Sequence, residues 1–256
     1  MPTMPTVFLG HGSPMNAIED NQFHQAWRAL GQTLPRHKAV LCVSAHWETI
    51  GVQVGGAVQP ETIHDFGGFP QALFDVLYPA PGSKWLTDRT AELLANQYPI
   101  IDAARGIDHG VWGVLIALYR QADIPVIQLS LDMSRPASEH YKLGQALRPL
   151  RDEGILILGS GNIVHNLRAI DFRNPKPLDW ALRFIEEAKR LIASGDHDRL
   201  CDLAALGPDA ALAINSAEHY LPLLYTLGAS DKGEALRFIT DETFAAISMT
   251  GVVIGG

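Results

Sequence analysis

The stretch Phe8-Leu9-Gly10-His11-Gly12-Ser13-Pro14-Met15 sets a histidine between two glycines, at the point where an apolar run ends. Residues 5–9 predict a buried strand, because three apolar residues follow one another and a turn with glycine and proline comes next. His11 would then lie at the carboxyl end of a strand. In open α/β sheets this edge is where ligands bind.

Two further strand-like runs lead to a histidine. Residues 38–46 carry an apolar run that stops at His46, and residues 154–165 carry a run of four aliphatic residues, a Gly-Ser-Gly-Asn turn and then His165. Three strand-like runs that each end near a histidine indicate one metal site.

Composition narrows the class of protein. The chain has 256 residues, of which 47% are hydrophobic and 19% charged, as is typical of a globular enzyme. A net charge of −8 without a basic cluster argues against nucleic acid and anionic membranes as partners. Cys42 and Cys201 form no Cys-x-x-Cys pair, so a thiolate zinc site is not predicted. No signal-like segment and no apolar run of about 20 residues is found, so the predicted compartment is the cytoplasm.

Helical and strand patterns alternate along the whole chain, and we find no internal repeat and no clear domain boundary. This alternation predicts a single α/β domain. Residues 19–34 have helical spacing, with Asp20 or Asn21 available as the N-cap. The other predicted helices cover residues 85–97, 114–119, 138–151, 177–194 and 196–206, and the other predicted strands cover residues 52–58, 124–129, 236–239 and 247–254.

The ten histidines do not look equivalent. Neutral imidazole is a good ligand for Fe(II), Zn(II) and Cu. From the residues alone, a metal site and ordinary hydrogen-bonded histidines remain open alternatives. Those that adjoin a predicted strand end or a glycine turn, where a side chain can face a cleft, are His11, His46, His109, His165 and His219. Those that lie in polar or helical surroundings and are predicted at the surface are His24, His37, His140 and His197.

Two other kinds of site receive little support. Residues 159–164 contain two glycines of a dinucleotide fingerprint but have Val164 in place of the third. Neither Ser13 nor Ser160 lies in the Gly-x-Ser-x-Gly elbow of an α/β-hydrolase.

Six stretches, in this order, carry a resemblance to a known family: GHGSPM (residues 10–15), SAHW (44–47), TIHDFGGFP (62–70), DHG (108–110), GSGNIVHN (159–166) and EHYLPLL (218–224). They resemble the 4,5-DOPA dioxygenase extradiol family, one of the class III extradiol ring-cleaving dioxygenases and related to the catalytic subunit of protocatechuate 4,5-dioxygenase. The resemblance covers nearly the whole chain. It implies one catalytic domain over residues 1–256, a mixed central sheet flanked by helices, and a mononuclear iron(II) at the carboxyl ends of the strands.

The resemblance also implies roles for individual residues. His11, His46 and His219 match the metal ligands, although the protocatechuate branch uses a glutamate in the region of Glu218. We favour His219, because neighbouring residues do not share a direction. His165 matches either a fourth ligand or the acid/base residue. His109 matches either an acid/base group or a residue that supports the ligands, and His64 matches a residue of the substrate loop. Ser13 and Phe69 are further candidate contacts of the substrate, with a place in the core as the alternative for Phe69.

The implied reaction inserts O2 into a small, DOPA-like catechol with ring cleavage beside the diol. Fe(II) is the expected cofactor, and Zn(II) is expected to be able to occupy the same site on purification. The expected partners are the catechol and O2, with the protein a monomer or a small homo-oligomer. Two alternatives stay open: a metal-containing binding protein of the Memo-like type, and a zinc-dependent hydrolase.

Overall fold

A computed structural model describes residues 3–171 and 173–256. Its strands are β1 (Thr6–Gly10), β2 (Ala39–Thr49), β3 (Gln53–Gly55), β4 (Ile100–Asp102), β5 (Val126–Asp132), β6 (Ile155–Gly161), β7 (Leu236–Ile239), β8 (Thr243–Phe244), β9 (Ile247–Ser248) and β10 (Gly251–Ile254). Eight of them form one sheet in the order β4-β3-β5-β2-β6-β1-β10-β7. The central strands β5, β2, β6 and β1 are parallel; on one side β10 pairs antiparallel with β1, and β7 pairs antiparallel with β10. The predicted mixed sheet is confirmed.

Helices cover both faces of this sheet, which confirms the predicted α/β architecture. They are α1 (Gln22–Thr33), α2 (Gln71–Phe74), α3 (Lys84–Leu93), α4 (His109–Leu118), α5 (Ala137–Leu147), α6 (Pro149–Asp152), α7 (Asp179–Ser194), α8 (His197–Cys201), α9 (Pro208–Ala213) and α10 (Leu221–Gly228). Within the described residues, no helix is long and apolar enough to cross a membrane.

The central strands are buried on both faces, and their side chains alternate between two apolar layers. Leu41 and Val43 of β2 pack in the layer formed with α5, α7 and α10, whereas Val40 and Cys42 pack in the layer formed with α1 and α4. The period of two residues puts successive side chains on opposite faces. The uninterrupted apolar runs of the sequence therefore mark strands with a helix layer on each side.

Several element boundaries differ from the predicted ones. Strand β2 continues past His46 because its pairing with β5 shifts register between Val43 and Glu48, so His46 lies inside the strand. Helix α4 begins earlier than predicted, at His109, where Gly110 packs too closely on Ser44 for a side chain to fit. The predicted helix over residues 196–206 is reduced to α8, and the predicted strand over residues 247–254 divides into β9 and β10.

Two of the histidines predicted at the surface are buried. His140 is fully buried, with Nδ1 lying 3.0 Å from the Tyr225 hydroxyl of α10. His37 is buried against the ring of Tyr119. The surface prediction is wrong for both, because the helix face or loop that carries each one packs against a helix distant in the sequence.

Helices α5 and α10 approach each other through glycines. A Cβ atom on Gly144 would lie 2.4 Å from the Tyr225 carbonyl oxygen, and one on Gly228 would lie 2.2 Å from the Tyr141 carbonyl oxygen. Both distances are far below van der Waals contact. The close packing of this helix pair therefore requires glycine at both positions.

We expect Gly144→Ala to lower the free energy of unfolding by about 1–3 kcal/mol, because the added methyl group must push the two helices apart. Urea denaturation measures this change. The matched control is Gly113→Ala in α4, where no heavy atom lies within 4 Å of an added Cβ. There the higher helix propensity of alanine should leave stability unchanged or raise it by about 0.5–1 kcal/mol. Equal effects of the two substitutions would contradict this interpretation.

The burial of His140 predicts a pH dependence of stability. Burial lowers the pKa of His140 to about 4, whereas the unfolded chain binds this proton near pH 6.5. Between these values the unfolded state carries the extra proton, so the free energy of unfolding falls as the pH falls, by up to about 3 kcal/mol for this group. We expect His140→Gln to remove this component, which urea denaturation of both proteins at pH 7 and pH 4.5 would reveal as a smaller loss in the variant.

Candidate metal centre

Five histidines from different parts of the chain meet at the carboxyl ends of the parallel strands. The rings of His11, His46 and His219 form a nearly equilateral triangle, with centroids 5.0, 5.1 and 5.3 Å apart. The His109 ring lies 4.0 Å from that of His46. The His165 ring stacks on that of His219 at 3.4 Å.

Glycines at the strand ends allow this convergence. A Cβ on Gly161, the last residue of β6, would lie 2.1 Å from the carbonyl oxygen of His219. The loop before α10 can therefore pack this closely on β6 only because residue 161 is a glycine. That same carbonyl accepts a hydrogen bond of 2.8 Å from the Asn162 amide. Gly12 follows His11 with φ +58°, a backbone conformation that glycine adopts easily.

Three of the rings have Nδ1 held by an oxygen acceptor. His109 Nδ1 lies 2.8 Å from the Asp65 carboxylate, and His219 Nδ1 lies 2.9 Å from Glu218. His11 Nδ1 lies 3.0 Å from the Ser160 hydroxyl, whose own proton is donated to the Gly110 carbonyl. In the neutral form of each ring the proton therefore lies on Nδ1, and Nε2 keeps its lone pair.

These lone pairs make a donor set that fits a transition metal. The Nε2 atoms of His11 and His46 lie 3.1 Å apart. Two candidate groups have ligand atoms within 4.8 Å of one another, namely His11, His46 and His109, and the neighbouring set His165, Glu218 and His219. Imidazole nitrogens with oxygen acceptors on the opposite ring nitrogen are the usual ligands of Fe(II) and Zn(II).

Electrostatics disfavours a positive charge on three of the five rings. Burial, together with repulsion from the other histidines, lowers the pKa of His11 and of His46. Burial and the neighbouring His219 also lower the pKa of His165, to about 3. Burial alone would raise the pKa of Glu218, but the hydrogen bond and charge of His219 and the hydrogen bond from Ser216 together outweigh it and lower that pKa to about 2. Neutral rings beside ionised carboxylates are the protonation states that metal ligation requires.

A cavity of about 630 Å³ opens above the histidines. Its lining consists of His11, Gly12, Ser13, Asn16, Glu19, Asn21, Gln22, Phe23, His46, His109, His165, Leu167, Ile170, His219, Glu242, Thr243, Phe244, Ile247 and Met249. The floor is buried, since His11, His109 and His219 are only 5%, 6% and 7% exposed. The rim is formed by the segment around the start of α1 and by the β8–β9 hairpin.

The residues predicted from the sequence to contact the substrate do not all line the cavity. Ser13 lines the cavity and its hydroxyl accepts a hydrogen bond from the Met15 amide. His64 and Phe69 do not line it. The His64 ring lies 5.6 Å from that of Trp112, and the Phe69 ring packs against Phe66. Phe66 in turn packs on His109, with ring centroids 5.4 Å apart, so His64 and Phe69 support the site from behind.

Sequence reasoning missed the residues that orient the histidines. Asp65 and Ser160 both lie in the stretches singled out in the sequence, but their partners are 44 and 149 residues away along the chain. Asp108 is fully buried and accepts hydrogen bonds of 2.7 Å from Ser44 and Gln128. The sequence gives one local indication of these residues, which is that each carboxylate or hydroxyl lies next to a candidate histidine or within a glycine turn.

Comparison with known proteins places the chain in a family. Residues 3–252 match the family described as the catalytic LigB subunit of aromatic ring-opening dioxygenase. The chain is 48% identical to a 4,5-DOPA dioxygenase extradiol of Escherichia coli K12, over 98% of this chain and 95% of the relative. It is 37% identical to a 4,5-DOPA dioxygenase extradiol of Beta vulgaris, over 91% of this chain and 90% of the relative.

A solved structure agrees with these matches. The crystal structure of an uncharacterized protein from Escherichia coli K12 superposes with a TM-score of 0.86 at 42% identity, covering 98% of this chain and 100% of that one. The chain therefore belongs to the family of the catalytic LigB subunit of aromatic ring-opening dioxygenases and is an extradiol dioxygenase of that family.

Proposed function

We propose that the protein uses Fe(II) to open the ring of a small, DOPA-like catechol beside the diol, with His11, His46 and His219 as the ligands. The observation that carries this proposal is the triangle of these three imidazoles, in which Nδ1 of His11 and Nδ1 of His219 are each held by an oxygen acceptor. The names of the relatives from Escherichia coli and Beta vulgaris support the choice of substrate. Zn(II) fits the same donor set and is expected to be able to replace iron on purification.

Glu218 supports His219 as the third ligand rather than competing with it. Its carboxylate accepts from His219 Nδ1 at 2.9 Å and from the Ser216 hydroxyl at 2.9 Å. A carboxylate engaged in this way orients the ring and raises the basicity of Nε2. We therefore assign Glu218 a positioning role.

Bound iron would supply the chelation of the two catechol oxygens and the transfer of electrons from the ring to oxygen. Proton transfer to and from the catechol would then depend on side chains of the protein. Because His109 Nδ1 donates to Asp65, its Nε2 is the atom that can accept a phenolic proton, and the Asp65 carboxylate stabilises the resulting cation. His165 is uncharged at neutral pH and lines the same cavity, so it could also accept a proton there, which supports the acid/base role for this residue. Its stacking on His219 also leaves the fourth-ligand role open.

The cavity walls suit one aromatic ring. Phe23, Ile247 and Met249 supply apolar surface above the histidine floor. A volume of about 630 Å³ lies within the range that holds small ligands.

Other features stay predictions from the sequence. These are the contacts of the substrate with Ser13, His64 and Phe69, the single catalytic domain over residues 1–256, the cytoplasmic location, and the state of a monomer or small oligomer.

We expect Fe(II)-loaded protein to consume O2 and L-DOPA in equal amounts and to form a coloured product, because ring opening beside the diol places both oxygen atoms in the product. The measurement combines an oxygen electrode with visible absorbance after anaerobic reconstitution. His11→Ala should lose both bound iron and turnover. The matched control is His197→Ala, which removes a half-buried histidine of α8 outside the cavity and should keep both.

The outcomes separate the proposed activity from its alternatives. Turnover with Zn(II) and without O2 would favour a hydrolase. Bound iron without O2 uptake on any of several catechols would favour a metal-containing binding protein. Full iron content and full turnover in the His11→Ala protein would refute the ligand assignment.

The hydroxyl of Ser160 gives a second prediction. Ser160→Ala leaves His11 Nδ1–H without its buried acceptor, so Nε2 is no longer fixed as the ligand atom. We expect the affinity for Fe(II) or Zn(II) to fall by about 10–100-fold, measured by competition with a chelator. Ser130→Ala, at another fully buried serine whose hydroxyl accepts hydrogen bonds from Thr49 and Gln53, is the control and should keep the affinity of the native protein. Equal affinities of all three proteins would contradict the role of Ser160.

A further inference from the structure

The mouth of the active-site cavity carries two carboxylates. Glu19 precedes α1 and Glu242 precedes the β8–β9 hairpin, and both line the cavity. Both are exposed, whereas the histidines of the floor are buried. A catechol bound by its diol on the floor would therefore direct the substituent at the other end of its ring towards these carboxylates.

Neutral amide groups hold both carboxylates in place. Gln22 donates a hydrogen bond of 2.8 Å to Glu242, which links α1 to the hairpin across the mouth. Asn21 donates one of 3.4 Å to Glu19 and another of 2.8 Å to Asn16. These bonds orient the carboxylates without cancelling their charge.

Positive side chains do not balance this charge. Within residues 3–171 and 173–256, neither Glu19 nor Glu242 forms an ion pair, and the cavity lining contains no lysine or arginine. Arg168 is adjacent to the lining residue Leu167, but it is exposed and is not itself part of the lining. The mouth thus has two negative charges and no lining cation.

We infer that Glu19 and Glu242 select catechols whose side chain carries an ammonium group and discriminate against catechols whose side chain carries only a carboxylate. The inference rests on the proposed function, since it assumes that the catechol diol binds at the histidine floor. An ammonium group at the mouth gains charge-assisted hydrogen bonds to both carboxylates, whereas a lone carboxylate there is repelled. DOPA, which carries both groups, should lie between the two extremes.

The test compares dopamine with 3-(3,4-dihydroxyphenyl)propionate, which have side chains of similar length and opposite charge. Dissociation constants for Fe(II)-loaded protein are measured anaerobically by calorimetry, and kcat and KM are then measured in air. We expect dopamine to bind at least about tenfold more tightly, the sum expected of two partly exposed charge contacts. The preference should appear mainly in KM and should shrink as salt is raised.

Substitution of the two carboxylates locates the source of the preference. Glu242→Gln keeps an oxygen acceptor for Gln22, so the link across the mouth is retained. The double variant Glu19→Gln/Glu242→Gln should bring the ratio of the two dissociation constants close to one. Glu92→Gln, which removes one negative charge from the exposed face of α3, is the matched control and should keep the ratio and the activity of the native protein.

The binding measurements and the O2 uptake test the inference and the proposed function separately. Equal binding of the two compounds by the native protein, or a ratio that the double variant leaves unchanged, would overturn the inference even if O2 uptake proves the dioxygenase activity. Tighter binding of dopamine that depends on Glu19 and Glu242 would support the inference even if no O2 were consumed, in which case it is the proposed function that fails.

Discussion

Burial and mutual repulsion disfavour positive charge on the imidazoles that share this small space. Burial carries the cost of removing a cation from water, and each protonated ring would also repel its neighbours, so the pKa values of His11 and His165 fall. A neutral ring has two tautomers, which differ in the nitrogen that holds the proton. The acceptors Ser160, Asp65 and Glu218 select the Nδ1–H tautomer, because each accepts a hydrogen bond from Nδ1. The need to fix the tautomer explains why each of these three rings has an oxygen acceptor at Nδ1.

A second polar network, beneath the histidines, fixes the helix that carries His109. The Asp108 carboxylate is fully buried and pairs with Arg105 at 2.7 Å, and the Arg105 guanidinium lies 4.8 Å from the Trp47 ring centroid. A buried ion pair loses much of its Coulomb energy to desolvation, so its net contribution to stability is small. Its value here is geometric, because Gln128 and Ser44 saturate the remaining bonds of Asp108 and hold the start of α4 against β2 and β5.

Much of this arrangement can be predicted from the sequence, because it depends on local features. The apolar run before His11 and the glycines after it define a strand end without reference to any other part of the chain. The partners of the histidines cannot be predicted in this way. The contact between His11 and Ser160 depends on the parallel register of β1 and β6, in which Leu9 lies opposite Ser160. The continuation of β2 past His46 and the burial of His140 likewise follow from pairing and packing between distant segments, which periodicity in one segment does not reveal.

The two ends of the cavity are built from different kinds of structure. The floor consists of histidines gathered at the carboxyl edge of the sheet, on β2, at the start of α4 and in the adjoining loops, where backbone hydrogen bonds and glycine contacts leave little room for change. The mouth consists of the segment before α1 and the turn before β8, joined by the hydrogen bond between Gln22 and Glu242. Exposed connecting segments tolerate substitution far better than buried strands do. One or two carboxylates at the mouth can therefore change without any change in the histidine floor, so the mouth is the part of the cavity that can vary most freely.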